Sequence, residues 1–240
     1  MRKKGMQVSL MTLIILIVTF IFLLMLAGQI NDYLKKSNAR EYCRLSIVSM
    51  EASKISGKQT VFNLDCPMQY IAVKDSNLPK DDAKKQGAVI KKVADAMYDC
   101  WYQGGKGEYT SLENELIGMQ DVNCLLCSRI NFKLEKPITV PLTEADAWLK
   151  KNSPAGSPMK YSEYLTYNGQ QRYYYSSQEK ELTTDSSYYI VLFTIRPKTT
   201  FENYLSLGAN LLFNTNKGYS YVGVEKQENF NDLKCEALAN

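Results

Sequence analysis

Six cysteines, Cys43, Cys66, Cys100, Cys124, Cys127 and Cys235, are the residues of this chain whose type and spacing could do chemistry. Cys124-Leu-Leu-Cys127 is the one spacing with the character of a motif. A redox pair of this kind sits at a helix N-terminus after a strand, where the helix dipole lowers one thiol's pKa. Here the residues after Cys127 alternate as a strand, and Leu-Leu fills the gap. Half a zinc site would need a second pair of sulfur or imidazole ligands. Cys100 could join it, but there is no second CxxC and no histidine anywhere in the chain. A disulfide framework needs only distant partners, and an even number of cysteines fits one. All six are therefore read as disulfide candidates, with no catalytic residue, cofactor or metal assigned.

Within that framework Cys100 ends a helix, and Cys124 and Cys127 lie a short loop away, just before a strand. A helix packed on the next strand brings its C-terminal end within disulfide reach. Cys100 is thus expected to bond either Cys124 or Cys127. Cys66, in an early strand, and Cys235, just past the last one, are a candidate pair across a sheet. That assignment would leave Cys43 for the free member of the CxxC.

The other chemical candidates are weaker. The absence of histidine removes Ser-His-Asp, Cys-His and HExxH chemistry together. Carboxylate pairs, Asp81-Asp82 and Glu113/Glu115, lie at helix starts and loops, where charges are usually solvated surface. Gly104-Gly105-Lys106-Gly107 suggests a phosphate loop, but such a loop opens a helix and needs GxxxxGK[ST]. Here the glycines close a helix, which is capping and turn chemistry. Arg2, Lys3 and Lys4 stand before the apolar segment described next, and the remaining 26 of the 29 basic residues face 25 acidic ones. That near-neutral balance argues against a nucleic-acid surface. Seventeen tyrosines suit half-buried strands and interfaces.

The elements that must position the cysteines begin with residues 5–31, which contain no charge. Leu10 to Leu26 is almost continuously apolar. About 20 such residues cross the ~30 Å hydrocarbon core as a helix. The run is too long, and Leu26-Ala27-Gly28 too poor a cleavage site, for a removed signal peptide. Basic residues flank it on both sides, so the positive-inside rule does not orient it. The cysteines do, placing the domain outside the cytoplasm.

Leu34, Tyr42, Leu45, Val48, Ala52 and Ile55 continue at helical spacing to a stop at Gly57, with Leu45, Val48 and Ala52 expected inside. Two short strands follow around Pro67, over 60–66 and 68–73. A helix opens at Asp81-Asp82, with Ala83, Val89 or Ile90, Val93, Ala94, Met97 and Trp101 inward. Residues 129–135 alternate as a strand, 143–151 form a short helix and 152–158 a loop. Gln171 to Ser176 carries three consecutive tyrosines, and Tyr188 to Ile195 reads as a central buried strand. Thr199-Thr-Phe-Glu202 fits a capping box before an apolar stretch to Leu212. A last strand covers Tyr219 to Val224.

The expected fold is α+β: a single N-terminal transmembrane helix continuing into a long amphipathic helix, packed on a mainly antiparallel, β-rich exported domain. The divisions are 1–29, an anchor; 30–56, an outer helical stalk; and 57–240, the exported domain.

Lys3-Lys4-Gly5-Met6-Gln7 before a long apolar helix resembles the leader of type IV pilin-like proteins, including archaeal ones. That resemblance implies cleavage after Gly5 and a helix packed in a filament; Leu10 stands where many pilins carry Glu. Ala96-Met-Tyr-Asp-Cys-Trp101 with Gly105-x-Gly107, then Cys124-x-x-Cys-Ser-Arg-Ile130, is similar to uncharacterised, N-terminally anchored, cysteine-containing surface proteins of small-genome archaea. That resemblance implies a surface location and hands over no catalytic residue.

The resulting expectation is a membrane-anchored structural or binding protein of the cell envelope. It contacts the membrane through residues 8–29 and is open to an envelope protein partner or to self-association, without nucleic acid. A pilin-like filament subunit is the alternative, and an anchored thiol-redox protein using Cys124 and Cys127 is the third.

Overall fold

The computed structural model describes residues 12–25, 39–49, 64, 66–107, 122–167, 170–171, 173–175, 180–195, 219–232 and 236–237. The chain forms two compact units, Met1–Glu41 and Tyr42–Asn240.

In the first unit, helix α1 covers 12–25 and exposes every side chain. Its apolar residues run from Leu13 to Met25, the least exposed being Ile21 at 47 %. Thr19 meets its hydroxyl's need internally, donating to the Ile15 carbonyl at 2.8 Å. At 1.5 Å per residue the described helix rises ~21 Å, short of the ~30 Å hydrocarbon core. Among the described residues no helix is long and apolar enough to cross a membrane. The expected transmembrane helix running on into one long amphipathic helix is corrected accordingly. Helix is described over 12–25 and again over 39–49 (α2).

In the second unit, from Tyr42 on, α2 buries Cys43 and Ile47, four residues apart on one stripe. Leu45 and Tyr42 face outward, at 57 % and 58 % exposed. The helix thus packs on the domain, but by a different face from the one expected through Leu45 and Val48. Ala52 lies outside the described residues.

The centre of this unit is β1 (Gln69–Lys74), α3 (Asp82–Gln103) and β2 (Val122–Lys133). β1 and β2 pair in parallel from Gln69↔Ser128 to Lys74↔Lys133, with α3 as the crossover. The Asp81 carbonyl starts α3 by accepting from the Lys84 and Lys85 N–H groups, at 3.1 and 3.0 Å. Val89, Ile90, Val93, Ala94, Met97, Cys100 and Trp101 form its buried stripe. At its far end the Gly104 N–H donates to the Cys100 carbonyl at 3.1 Å. A Cβ on Gly104 would stand 2.3 Å from Leu192 Cδ2, so glycine lets the helix end lie against the sheet. Gly105 then turns the chain at φ 72°. The glycine stretch closes a helix, as capping chemistry requires.

The chain continues through β3 (Thr139–Pro141), α4 (Leu142–Lys151), α5 (Tyr161–Tyr164), β4 (Thr166–Tyr167), β5 (Gln170–Gln171), β6 (Tyr173–Tyr175) and β7 (Glu181–Thr183). It then forms β8 (Ser187–Ile195), β9 (Tyr219–Lys226) and β10 (Glu236–Ala237). The main sheet has the order β1-β2-β8-β9-β6, with β10 added to β2. β8 is central, paired antiparallel to β2 and β9. Parallel pairs lie outside it: β1 and β10 on β2, and β6 on β9. The sheet is therefore mixed rather than mainly antiparallel. The α3 crossover and the return of β6 and β10 to distant partners produce the parallel pairs.

Each face of the sheet is covered. Val73, Leu125, Ile130, Ile190, Leu192, Val222 and Val224 share one core with α3. Cys124, Tyr174, Val191, Phe193 and Tyr221 form a second cluster. Residues 60–63, Glu113 to Ile117 and Phe201 to Leu212, where strand and helical segments were expected, lie outside the described residues.

Candidate functional site

The disulfide framework is the constellation the structure brings together. Cys43 of α2 bonds Cys66, three residues before β1, with a Cα separation of 4.4 Å. Cys100 near the end of α3 bonds Cys127 of β2, with a Cα separation of 5.3 Å. This is one of the two partners expected for Cys100. The expected Cys66–Cys235 pair is replaced by Cys43–Cys66, because α2 turns Cys43 inward. Cys124 is disulfide-bonded too, and the only cysteine of the six left to pair with it inside the chain is Cys235. Cys235 lies outside the described residues; its neighbour Glu236 stands opposite Asn123, one residue before Cys124.

The two cysteines of the CxxC part company because residues three apart in a strand point to opposite faces. In β2, Leu126 stands opposite Val191 and Ser128 opposite Ile190, so Cys127 is the extra residue of a β-bulge. The bulge changes the parity of the strand. Leu125 before it and Ile130 after it, an odd number of residues apart, pack into the same core. Cys127 joins that core and meets α3, whereas Cys124 belongs to the cluster on the opposite face. Their sulfurs are thus divided between the two faces of the sheet and bonded elsewhere, which gives no support to a local redox pair. Among the described residues no group of three or more His, Cys, Asp or Glu side chains could hold a metal ion.

Asp81 and Asp82 are surface residues paired with Lys84 at 3.8 Å and Lys85 at 3.3 Å. Glu113 and Glu115 lie outside the described residues. A different set of polar contacts went unread in the sequence. Tyr161 donates to Asp95, which also takes Lys91 at 2.7 Å. Tyr173 donates to Asp146, which takes Lys150 at 2.6 Å. Tyr174 donates to the buried Glu225. Burial first, and then the neighbouring carboxylate, raises the Tyr161 and Tyr173 phenols far above their ordinary value. Burial raises Tyr174 as well, with Tyr221 and Glu225 adding to it. Burial opposes ionisation of Asp146, but hydrogen bonds from Lys150 and Tyr173 hold its carboxyl below the usual range. Such phenols stay protonated at neutral pH, so they fix packing and do not act as bases or nucleophiles. The Lys–Asp half of two of these sets is visible as i,i+4 spacing; the distant tyrosine is not.

A row of rings adjoins them. Tyr98 packs on Tyr164 at 4.1 Å and edge-on to Tyr161 at 6.4 Å. Arg44 of α2 sits 4.5 Å from the Tyr102 ring and donates to its hydroxyl at 2.6 Å. Lys106 lies 5.2 Å from Tyr164 and 5.9 Å from Tyr102. These contacts join α2, α3 and α5 beside the Cys43–Cys66 bond.

No family model, no curated protein and no solved structure matches the chain.

Proposed function

We propose that this is a structural or binding protein of the cell envelope, held at the membrane by its apolar N-terminal segment, with the disulfide-bonded domain outside the cytoplasm. The observation that carries the reading is α1, an apolar helix whose side chains are exposed all round, from Leu13 to Met25. A helix apolar on every side calls for apolar surroundings, and contact with a membrane would supply them to Leu13–Met25. The three bonded cysteines of the sheet and α3, with Cys43 and Cys66, favour an oxidising compartment. The polar clusters of the domain are spent on packing, which favours binding or scaffolding over catalysis.

The same exposed helix would serve a pilin-like subunit, where α1 of neighbouring copies supplies the apolar surroundings. The test is fractionation of cells expressing the full chain and a chain lacking residues 8–29. The full chain is expected in the membrane fraction after a high-salt wash, with Met1 or Arg2 at its N-terminus, and the shortened chain in the soluble fraction. An N-terminus at Met6 would favour the filament subunit. A full chain that remains soluble would refute membrane attachment.

A further inference from the structure

The cover on the sheet face opposite α3 runs out toward β1. It ends at Tyr189, on which Phe230 packs with ring centroids 4.8 Å apart. On β1, Ile71 and Val73 go to the core shared with α3. Tyr70, Ala72 and Lys74 alternate with them, lie on the opposite face and are all exposed. Tyr70, at 70 %, is the most exposed large hydrophobic side chain among the described residues. The register builds three rows across this face. Tyr70 stands opposite Arg129, Arg129 opposite Tyr189 and Tyr189 opposite Glu225. Ala72, Asn131 and Ser187 make the next row, and Lys74 with Lys133 the last.

The chemistry of the rows is uneven. Arg129 lies 5.9 Å from the Tyr189 ring, and its Nε donates to Asn131 Oδ1 at 3.1 Å. That leaves the two guanidinium amino groups and the Asn131 amide NH2 for another partner. Lys74, Arg129 and Lys133 bring three cations to the face, and among the described residues none of them is in an ion pair. Asp75, beside Lys74, accepts the Glu135 N–H at 2.8 Å. Glu225, at the end of the first row, is 1 % exposed and accepts from Tyr174. The positive charge is thus local to this face.

We propose that this face, through Tyr70, Lys74, Arg129, Asn131, Lys133 and Tyr189, is a docking platform for an acidic polysaccharide chain. The choice of an envelope polymer rests on the envelope location proposed above; the pattern of rings and charges does not. An exposed tyrosine ring offers its negative face to the C–H groups of a sugar ring. Asn131 and Ser187, in the middle row, carry hydrogen-bonding groups without charge, which suit hydroxyls. The cations stand in the outer rows, with Arg129 and Lys133 four residues and so ~13 Å apart along β2. That pattern suits a polymer in which a charged sugar alternates with an uncharged one. A nucleic-acid strand carries a charge on every unit and would leave the neutral row unmatched. An acidic peptide would use the lysines, but its carboxylate side chains give Tyr70 no ring to stack on.

The experiment is calorimetric titration of the purified full chain, in detergent, with hyaluronate oligosaccharides, in which glucuronate alternates with an uncharged N-acetylated sugar. Dextran, polyglutamate and polyuridylate are titrated in parallel at ~0.15 M salt. Hyaluronate is expected to bind and dextran not to. Lys74→Gln/Lys133→Gln should weaken hyaluronate binding about tenfold, and Tyr70→Ala about fivefold. Lys84→Gln, on α3 with its side chain 75 % exposed, should leave binding unchanged. All these changes are at exposed side chains, and circular dichroism verifies that each variant is folded. Absence of binding to hyaluronate would overturn the proposal. Polyglutamate bound as tightly as hyaluronate, with no effect of Tyr70→Ala, would replace the polysaccharide with an acidic peptide, and tighter binding of polyuridylate would replace it with nucleic acid. The titration is made in detergent solution, so its failure and the failure of membrane attachment are read separately.

Discussion

Raising the pH should unfold the domain through its tyrosines. Tyr161, Tyr173 and Tyr174 are 0 %, 4 % and 8 % exposed, and each donates its hydroxyl to a carboxylate. Their folded-state values are raised, Tyr161 and Tyr173 by burial and then by the hydrogen bond to Asp95 or Asp146, Tyr174 by burial with Tyr221 and Glu225. In the unfolded chain a tyrosine ionises near ~10. The stability these groups contribute is therefore complete below pH ~10 and is lost as the pH climbs toward the folded values. Each loses up to ~1.4 kcal/mol per pH unit in that window, so three together lose up to ~4. The loss grows with each pH unit above ~10 and is set against the ~5–15 kcal/mol that holds a domain together. The assay follows phenolate absorbance and far-ultraviolet circular dichroism in one titration. The late-ionising tyrosines should appear together with loss of structure. Tyr161→Phe should cost ~1.5–3 kcal/mol at neutral pH, the range for a hydrogen bond to a charged group, and should make the alkaline transition less steep. If all 17 tyrosines ionised near pH 10 while the dichroism stayed unchanged to pH 12, the reasoning would fail.

Other expectations follow from packing. Ile47→Ala should destabilise by ~2–5 kcal/mol, because Ile47 is fully buried, whereas Leu45→Ala should cost well under 1 kcal/mol at a 57 % exposed site; chemical denaturation of the two variants compares them directly. Gly104→Ala should cost ~1–3 kcal/mol, since its Cβ would stand 2.3 Å from Leu192 Cδ2; the thermal midpoint reports it, and Leu192→Ala in the same chain should recover part of the local clash. Non-reducing peptide mapping should return Cys43–Cys66 and Cys100–Cys127, with Cys124 linked to the peptide that carries Cys235.

How much of this was legible in the sequence depends on the range of the interactions. α3 was readable because its opening acids Asp81 and Asp82, its apolar stripe from Val89 to Trp101 and its terminal glycines all lie within one segment. β8 was readable as central because Tyr188 to Ile195 has no solvent-facing alternation. The bond from Cys100 to β2 followed from the short connection between helix and strand. What failed was non-local. Parallel pairing of β6 with β9 and of β10 with β2 joins segments distant in sequence, and no local pattern announces it. The inward stripe of α2 is hidden because helical spacing can be counted through Tyr42, Leu45 and Val48 as well as through Cys43 and Ile47, and only the position of Cys66 decides between them. The tyrosine–carboxylate contacts span 27 to 66 residues and depend on the fold being known. The bulge at Cys127 was equally hidden, since a CxxC in a regular strand gives no sign of an extra residue.

The proposal of an envelope protein is tested most directly by adding protease to intact cells that express the full chain, then probing with an antibody to the second compact unit. The account predicts that the domain is removed or nicked while a cytoplasmic marker survives, and that nicked fragments stay joined until the sample is reduced. A domain left whole on intact cells, under conditions that strip known surface proteins and digest it after lysis, would contradict the account.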